Sequence, residues 1–183
     1  AVTRFLSGDE TAISRYFNKS RQIKGNQALS KALISFHEGD SVEALIQSGR
    51  AKNLLKNNLL SLLINSQIAK KAGNSRLVME NYKKLLGMKD TRLLALSGIV
   101  SEKVKAGDYG SALILAKKSV HLNPKNINSL NTVFNLQIHE KDWKGARISL
   151  QAKKKYEKSP NSKFLRQDAI LMFAEAKEKR SQG

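Results

Sequence analysis

A Gly-Asp type of turn returns every 34 residues along this chain, and no other feature restricts its fold as tightly. The motif reads EGD ending at Asp40, AGN at Asn74, AGD at Asp108 and EKD at Asp142, each 34 residues after the one before. Four positions beyond each turn stands a compact residue: Ala44, Val78, Ala112 and Ala146. Leu62, Leu96 and Leu130 recur ahead of the turns, and Tyr82, Ala116 and Leu150 behind them. Such self-similarity means one supersecondary unit used repeatedly, because a single unit cannot bury its own apolar face.

Each unit is expected to be helix, turn, helix. Gly39, Gly73 and Gly107 suit the left-handed backbone that ends a first helix. Asp40, Asn74, Asp108 and Asp142 can then cap the second through a side-chain oxygen, with Ser41 or Ser75 able to share that role. Small residues after the turn fit where two helices approach closely. Pro124 stops the third unit, and Pro160 falls close to the equivalent place in the fourth. The pattern predicts a leading helix over 8–19, then pairs at 25–38 and 41–55, 59–72 and 75–87, 92–106 and 109–122, and 127–140 and 143–157. A last helix over 161–179 would cover the exposed apolar edge, since repeat stacks need such caps.

Composition agrees with helix. The 183 residues include 40% apolar side chains but only 6% aromatic, so Leu, Ile, Val and Ala must make the core. Two prolines argue against Pro-rich linkers and many-turned β folds. The absence of cysteine excludes disulfides, thiolate metal sites and thiol catalysis.

The period and the turn together resemble the tetratricopeptide repeat, best in AGDYGSALILAKKSVHLNP, Ala106–Pro124. Lys141 replaces a turn glycine, and Lys56 and Asp90 stand where that family usually has proline. The resemblance implies an all-α fold, a right-handed superhelical solenoid of about four repeats (25–58, 59–92, 93–126 and 127–160) with flanking capping helices. A basic leading segment would occupy 1–24, and a capping helix and tail 159–183.

A narrower resemblance is carried by ALSKALISFHEGD (Ala28–Asp40), DTRLLALSGIVSEKVKAGD (Asp90–Asp108) and LQIHEKDWKGA (Leu136–Ala146). These look like the amino-terminal soluble region of the HemY family, repeat proteins of the bacterial inner membrane associated with late haem biosynthesis. The resemblance spans about residues 25–180. It implies a non-catalytic scaffold facing the cytoplasm, transmembrane helices upstream, and late haem-pathway enzymes as partners. The start at Ala1, without methionine, fits removal of an upstream stretch. The basic residues Arg4, Arg15, Lys19, Arg21 and Lys24 would sit on the cytoplasmic side. A flavin-dependent oxidase has shared the HemY name, but it would need a strand–GxGxxG–helix for the flavin pyrophosphate, and the chain has none.

Charge is the other strong signal. Lys and Arg number 33 against 15 acids, a net charge of +18, which draws a protein to anionic surfaces. An anionic membrane face is the favoured target by family. RNA or DNA ranks behind it, because no helix-turn-helix reader or aromatic RNP motif accompanies the charge. The longest uncharged stretches, Asn57–Ala69 and Asn126–Ile138, are too short to span a bilayer.

Catalysis finds little support: there is no nucleophile elbow and no phosphate-cradling loop, so the chain is expected not to be an enzyme. His37-Glu38 and His139-Glu140 invite a zincin reading, but Ser41 and Trp143 stand where a second histidine would have to be. His37, His121 and His139 are scattered, without the spacing of a metal constellation. No cofactor is expected; haem or porphyrin carriage is a third possibility that no motif supports.

The inner face of the stack is the better candidate. In this repeat class the first helices line it, and register places Asn26, His37, Gln67, Lys70, Lys71, Ser101, Lys105, Asn128, Asn131, Asn135 and His139 there or near it. Amides and lysines in such rows suit an extended partner peptide. Leu29 and Leu33 occupy the places where a carboxylate clamp would need Lys and Asn. Lys153, Lys154, Lys155 and Lys158 form a second candidate, a basic surface on the opposite side.

Overall fold

The computed structural model describes residues 12–157 and 160–182. Among them are nine α-helices: α1 (Ala12–Glu38), α2 (Ser41–Leu54), α3 (Leu59–Lys71), α4 (Ser75–Leu86), α5 (Arg92–Lys105), α6 (Tyr109–Leu122), α7 (Ile127–His139), α8 (Trp143–Lys154) and α9 (Asn161–Gln182). A short 3-10 turn, Lys89–Thr91, precedes α5, and no strand occurs among the described residues. The chain divides into two compact units, before and after Gly87. In the first, α1 packs on α2, α2 on α3 and α3 on α4; in the second, α5 through α9 pack each on the next. The fold is all-α, built of tetratricopeptide-like helix-turn-helix repeats.

The turns explain the period. Gly39, Gly73 and Gly107 take φ of +87°, +72° and +74°, and Lys141 completes the series at +56°. At the last three, paired backbone bonds close the helix: Gly73 N–H to Lys70 O and Asn74 N–H to Ala69 O, with Gly107 and Asp108, then Lys141 and Asp142, repeating the pattern. The next residue opens the following helix. Asp40 accepts from the Glu43 N–H at 2.9 Å, Asn74 from Leu77 at 3.1 Å, Asp108 from Ser111 at 3.2 Å and Asp142 from Gly145 at 2.9 Å. The Lys103 ammonium, 2.7 Å from Asp108, holds that carboxyl below the ordinary aspartate value. Asn58 and Asn126 cap the first helices α3 and α7 in the same way.

The register marks are core. Ala44, Val78, Ala112 and Ala146 are wholly buried, and so, or nearly so, are Leu62, Leu96, Leu130, Tyr82, Ala116 and Leu150. In the first unit Ala32 and Ala44 meet Ile68, and Ala28 and Leu29 meet Ala51. In the second, Ala112 and Ala116 meet Val100, Val133 and Leu136, while Ala146 and Leu150 meet Phe134, Phe164 and Leu171.

Two features differ from expectation. First, the leading helix and the first helix of the first repeat form one rod, α1, whose described part starts at Ala12; residues 1–11, with Arg4 and the start of the expected 8–19 helix, lie outside the described residues. Ser20 to Lys24 contain good helix formers and no proline, so nothing there stops the helix. Gly25 does not break it either. It sits against Leu54 and Leu55, where a side chain would collide with Leu55, and so marks a close helix crossing. Second, the first unit contains a buried polar chain. Asn65 Nδ2 donates to Ser48 Oγ at 2.7 Å, Asn81 Nδ2 to Asn65 Oδ1 at 2.6 Å, and Lys52 Nζ to Asn81 Oδ1 at 3.4 Å. Ser48, Asn65 and Asn81 are fully buried, so each must be bonded to offset its desolvation.

Lys141 is the one turn residue with a side chain held in the left-handed region where its three counterparts are glycine. That conformation costs an L-residue about 1–2 kcal/mol. Lys141→Gly is therefore expected to stabilise the protein by about 0.5–1 kcal/mol, after allowing for the extra freedom of glycine in the unfolded chain. Gly107→Ala should destabilise it by about 1 kcal/mol or more. Urea unfolding of the two variants checks both signs.

Candidate partner-binding surface

The first helices of the repeats end on one register. His37, Lys71, Lys105 and His139 are each 34 residues apart and all exposed. Each is in the last turn of its helix, where a cationic or imidazole side chain complements the unsatisfied carbonyls.

In the first unit, Asn26, His37, Gln67, Lys70 and Lys71 all reach solvent. The Lys71 Nζ lies 4.5 Å from the centroid of the Phe36 ring. That ring in turn meets the His37 imidazole edge-on at 6.5 Å. Lys71, Phe36 and His37 therefore form a continuous patch, with a cation–π contact holding the lysine. Asn26, near the middle of α1, is not joined to this patch; it lines two clefts beside that helix.

In the second unit, helical spacing aligns Asn128, Asn131, Asn135 and His139 in one row along α7. Asn128, Asn135 and His139 are exposed and Asn131 half-buried. The His139 ring stacks on Tyr109, the first residue of α6, with centroids 3.6 Å apart and planes at 28°. Tyr109 thus fixes the end of the row. The row offers three amides, each with a donor pair and an acceptor, which match the backbone of an extended chain. Ser101 is half-buried on α5, and the exposed Lys105 is paired with Glu102 at 2.8 Å. Among the described residues, no three His, Asp or Glu side chains converge as metal ligands. His121 is exposed in the last turn of α6.

The expected basic surface is only partly exposed. Lys154 and Lys155 are exposed, but Lys153 is only 5% exposed. It stands three residues after Leu150 and seven after Ala146, so it shares their inward stripe. Its stem crosses the Phe134 ring, with Nζ 4.5 Å from the centroid, and its ammonium lies 3.9 Å from Glu157. Lys158 lies outside the described residues.

The final helix is tied down by side chains that the sequence reading did not single out. Arg147 Nε donates to Asp168 Oδ1 at 2.8 Å, and the Trp143 indole N–H donates to Glu178. Both pairs link α8 to α9 and could not be located from the 34-residue register, because α9 has no partner helix to read it against.

The family model described as HemY protein N-terminus matches residues 1–73. The resemblance to that family is borne out over this stretch, which includes α1, α2 and α3; Asp90–Asp108 and Leu136–Ala146, which also suggested it, lie beyond the match. No curated protein matches the chain. Among solved structures, "Crystal structure of MamA protein" matches with a TM-score of 0.69 at 12% identity, over 84% of this chain and 83% of that one. "MamA 41-end from Desulfovibrio magneticus RS-1" gives 0.67 at 13% identity, over 87% and 89%. "MamA RS-1 ArsTM double mutant" gives 0.64 at 15%, over 87% and 96%. At such identities the likeness shows a shared helical-repeat fold.

Burial holds the Lys153 amine below the ordinary lysine value of 10.5, against the opposing pull of Glu157. Between its folded value and 10.5 the unfolded chain binds more protons, so stability should rise with pH across that window. Lys153→Met should lack this rise, while Lys154→Met keeps it. Urea unfolding of the three proteins from neutral pH to about pH 10 reads the difference.

Proposed function

We propose that this protein is a non-catalytic repeat scaffold, HemY-like, that gathers partner proteins at the bacterial inner membrane in support of late haem biosynthesis. The observation that carries the reading is the match of residues 1–73 to the HemY amino terminus. The surface chemistry is consistent with it. Exposed amides and basic residues repeat along first helices.

In this reading the amide row of α7 holds an extended segment of a partner through backbone hydrogen bonds. Lys105 and His139, at helix ends of the same unit, favour carboxylates on that segment. Late haem-pathway enzymes are the partners implied by family. Among the described residues no helix is long and apolar enough to cross a membrane. Attachment to the bilayer and exposure to the cytoplasm therefore belong to this proposal, with the net charge of +18 supporting contact with anionic lipid.

The test is affinity capture from native membranes followed by protein identification. Haem-pathway enzymes should be retained by the wild-type chain at moderate salt and lost from Asn131→Ala/Asn135→Ala. Recovery of nucleic acid alone, released steeply as salt rises, would instead identify a polyanion binder. A Soret shift on titration with haem would favour a porphyrin carrier.

A further inference from the structure

The first half of α1 carries large apolar side chains that the fold does not use. Ile13, Tyr16, Phe17 and Ile23 are 69%, 72%, 60% and 49% exposed. At helical spacing they fall with Ser20 on one stripe. The residues that α1 buries, Gly25, Ala28, Leu29 and Ala32, belong to a different side of the rod. The stripe is therefore not a frayed end of the core face. On the side toward its own unit this segment is polar: Asn18, Arg21 and Gln22 help line a cleft of about 590 Å³ against Leu54, Leu55 and Lys56.

Of the nearby cations, Lys19 falls at the Ile23 edge of the stripe and Lys24 within it, between Ile13 and Phe17. Arg15 and Arg21 fall outside it and, with Lys19, line the cleft. No acid occurs from Ala12 to His37. None of the four cations is ion-paired with a carboxylate among the described residues. An apolar stripe with aromatic side chains, on a stretch that carries several cations and no acid from Ala12 to His37, has the composition of a helix that lies in a membrane interface. Long Lys and Arg stems let the apolar part sink while the heads stay at the level of the lipid phosphates. α9 also exposes Leu165, Ile170, Met172 and Phe173, but Asp168, Glu175 and Glu178 share that helix, so it lacks the one-signed charge.

We propose that residues 12–24 of α1 dock flat on an anionic lipid bilayer, with Ile13, Tyr16, Phe17 and Ile23 entering the headgroup–acyl boundary and Lys19 and Lys24 contacting lipid phosphates. This rests on the membrane part of the proposed function and names the surface that makes the contact; capture of partners by α7 is a separate matter. Two signals act together here, apolar burial and charge, which is what stable peripheral attachment requires.

The test is flotation of the 183-residue chain with phosphatidylcholine vesicles, with and without phosphatidylglycerol. The wild type should bind the anionic vesicles and not the neutral ones. Tyr16→Ser/Phe17→Ser should weaken that binding about tenfold or more, as should Lys19→Gln/Lys24→Gln, with an unchanged far-ultraviolet circular dichroism spectrum in solution. Leu165→Ser/Phe173→Ser, on α9, should bind as the wild type does. Wild-type binding that survives loss of the α1 stripe would overturn this assignment while leaving the membrane reading to another basic surface. Absence of wild-type binding to anionic vesicles would overturn both.

Discussion

Everything else in this protein is placed by a two-residue device, a left-handed residue followed by an Asp or Asn cap. The left-handed residue satisfies the last carbonyls of one helix and reverses the chain. The cap then receives the first free N–H groups of the next helix. Because the device recurs at a constant interval, every second helix leaves its turn in the same register. Ala44, Val78, Ala112 and Ala146 therefore always arrive at a crossing, where they are buried. The compact cores follow from this spacing, and so does the solvent-facing position of the residues at the ends of the first helices.

Much of this was legible because both halves of the device have chemical signatures. Glycine answers a demand for positive φ, and Asp or Asn answers a demand for an acceptor. The turn at Lys141 shows the limit: the period identified it although its residue does not suit it, and the structure gives it the same conformation. The buried chain from Ser48 through Asn65 to Asn81 was not expected from the sequence, although the register carried a trace of it. Those positions hold Tyr82, Ile99 and Leu115 one period later, and the hydrogen bonds among the three polar replacements emerge only from the packing.

Other features had no such signal or were misread. The continuity of α1 depends on nothing stopping a helix, which composition expresses weakly. Lys153 reads as one of a basic run, although its spacing from Ala146 and Leu150 places it inward. A run of lysines suggests a solvated face, yet a long aliphatic stem lets one of them pack over Phe134. The stack of Tyr109 on His139 joins residues 30 apart on two helices. Only the packing of α6 against α7 reveals it.

The surfaces left over after folding are of two kinds, and they divide the functional account. Amide and basic rows on the first helices face solvent without serving the core, and they suit an extended protein segment. The exposed, one-signed first half of α1 suits lipid. A scaffold at a membrane needs both, one to hold its location and one to hold its partner. Site-specific photo-crosslinking in native membranes separates the partner-binding face from the rest most directly. A photoreactive residue at Asn135 is expected to form adducts with late haem-pathway enzymes, whereas one at the exposed Lys118 of α6 is not. Equal adducts from both positions, or none with such enzymes from Asn135, would contradict the scaffold.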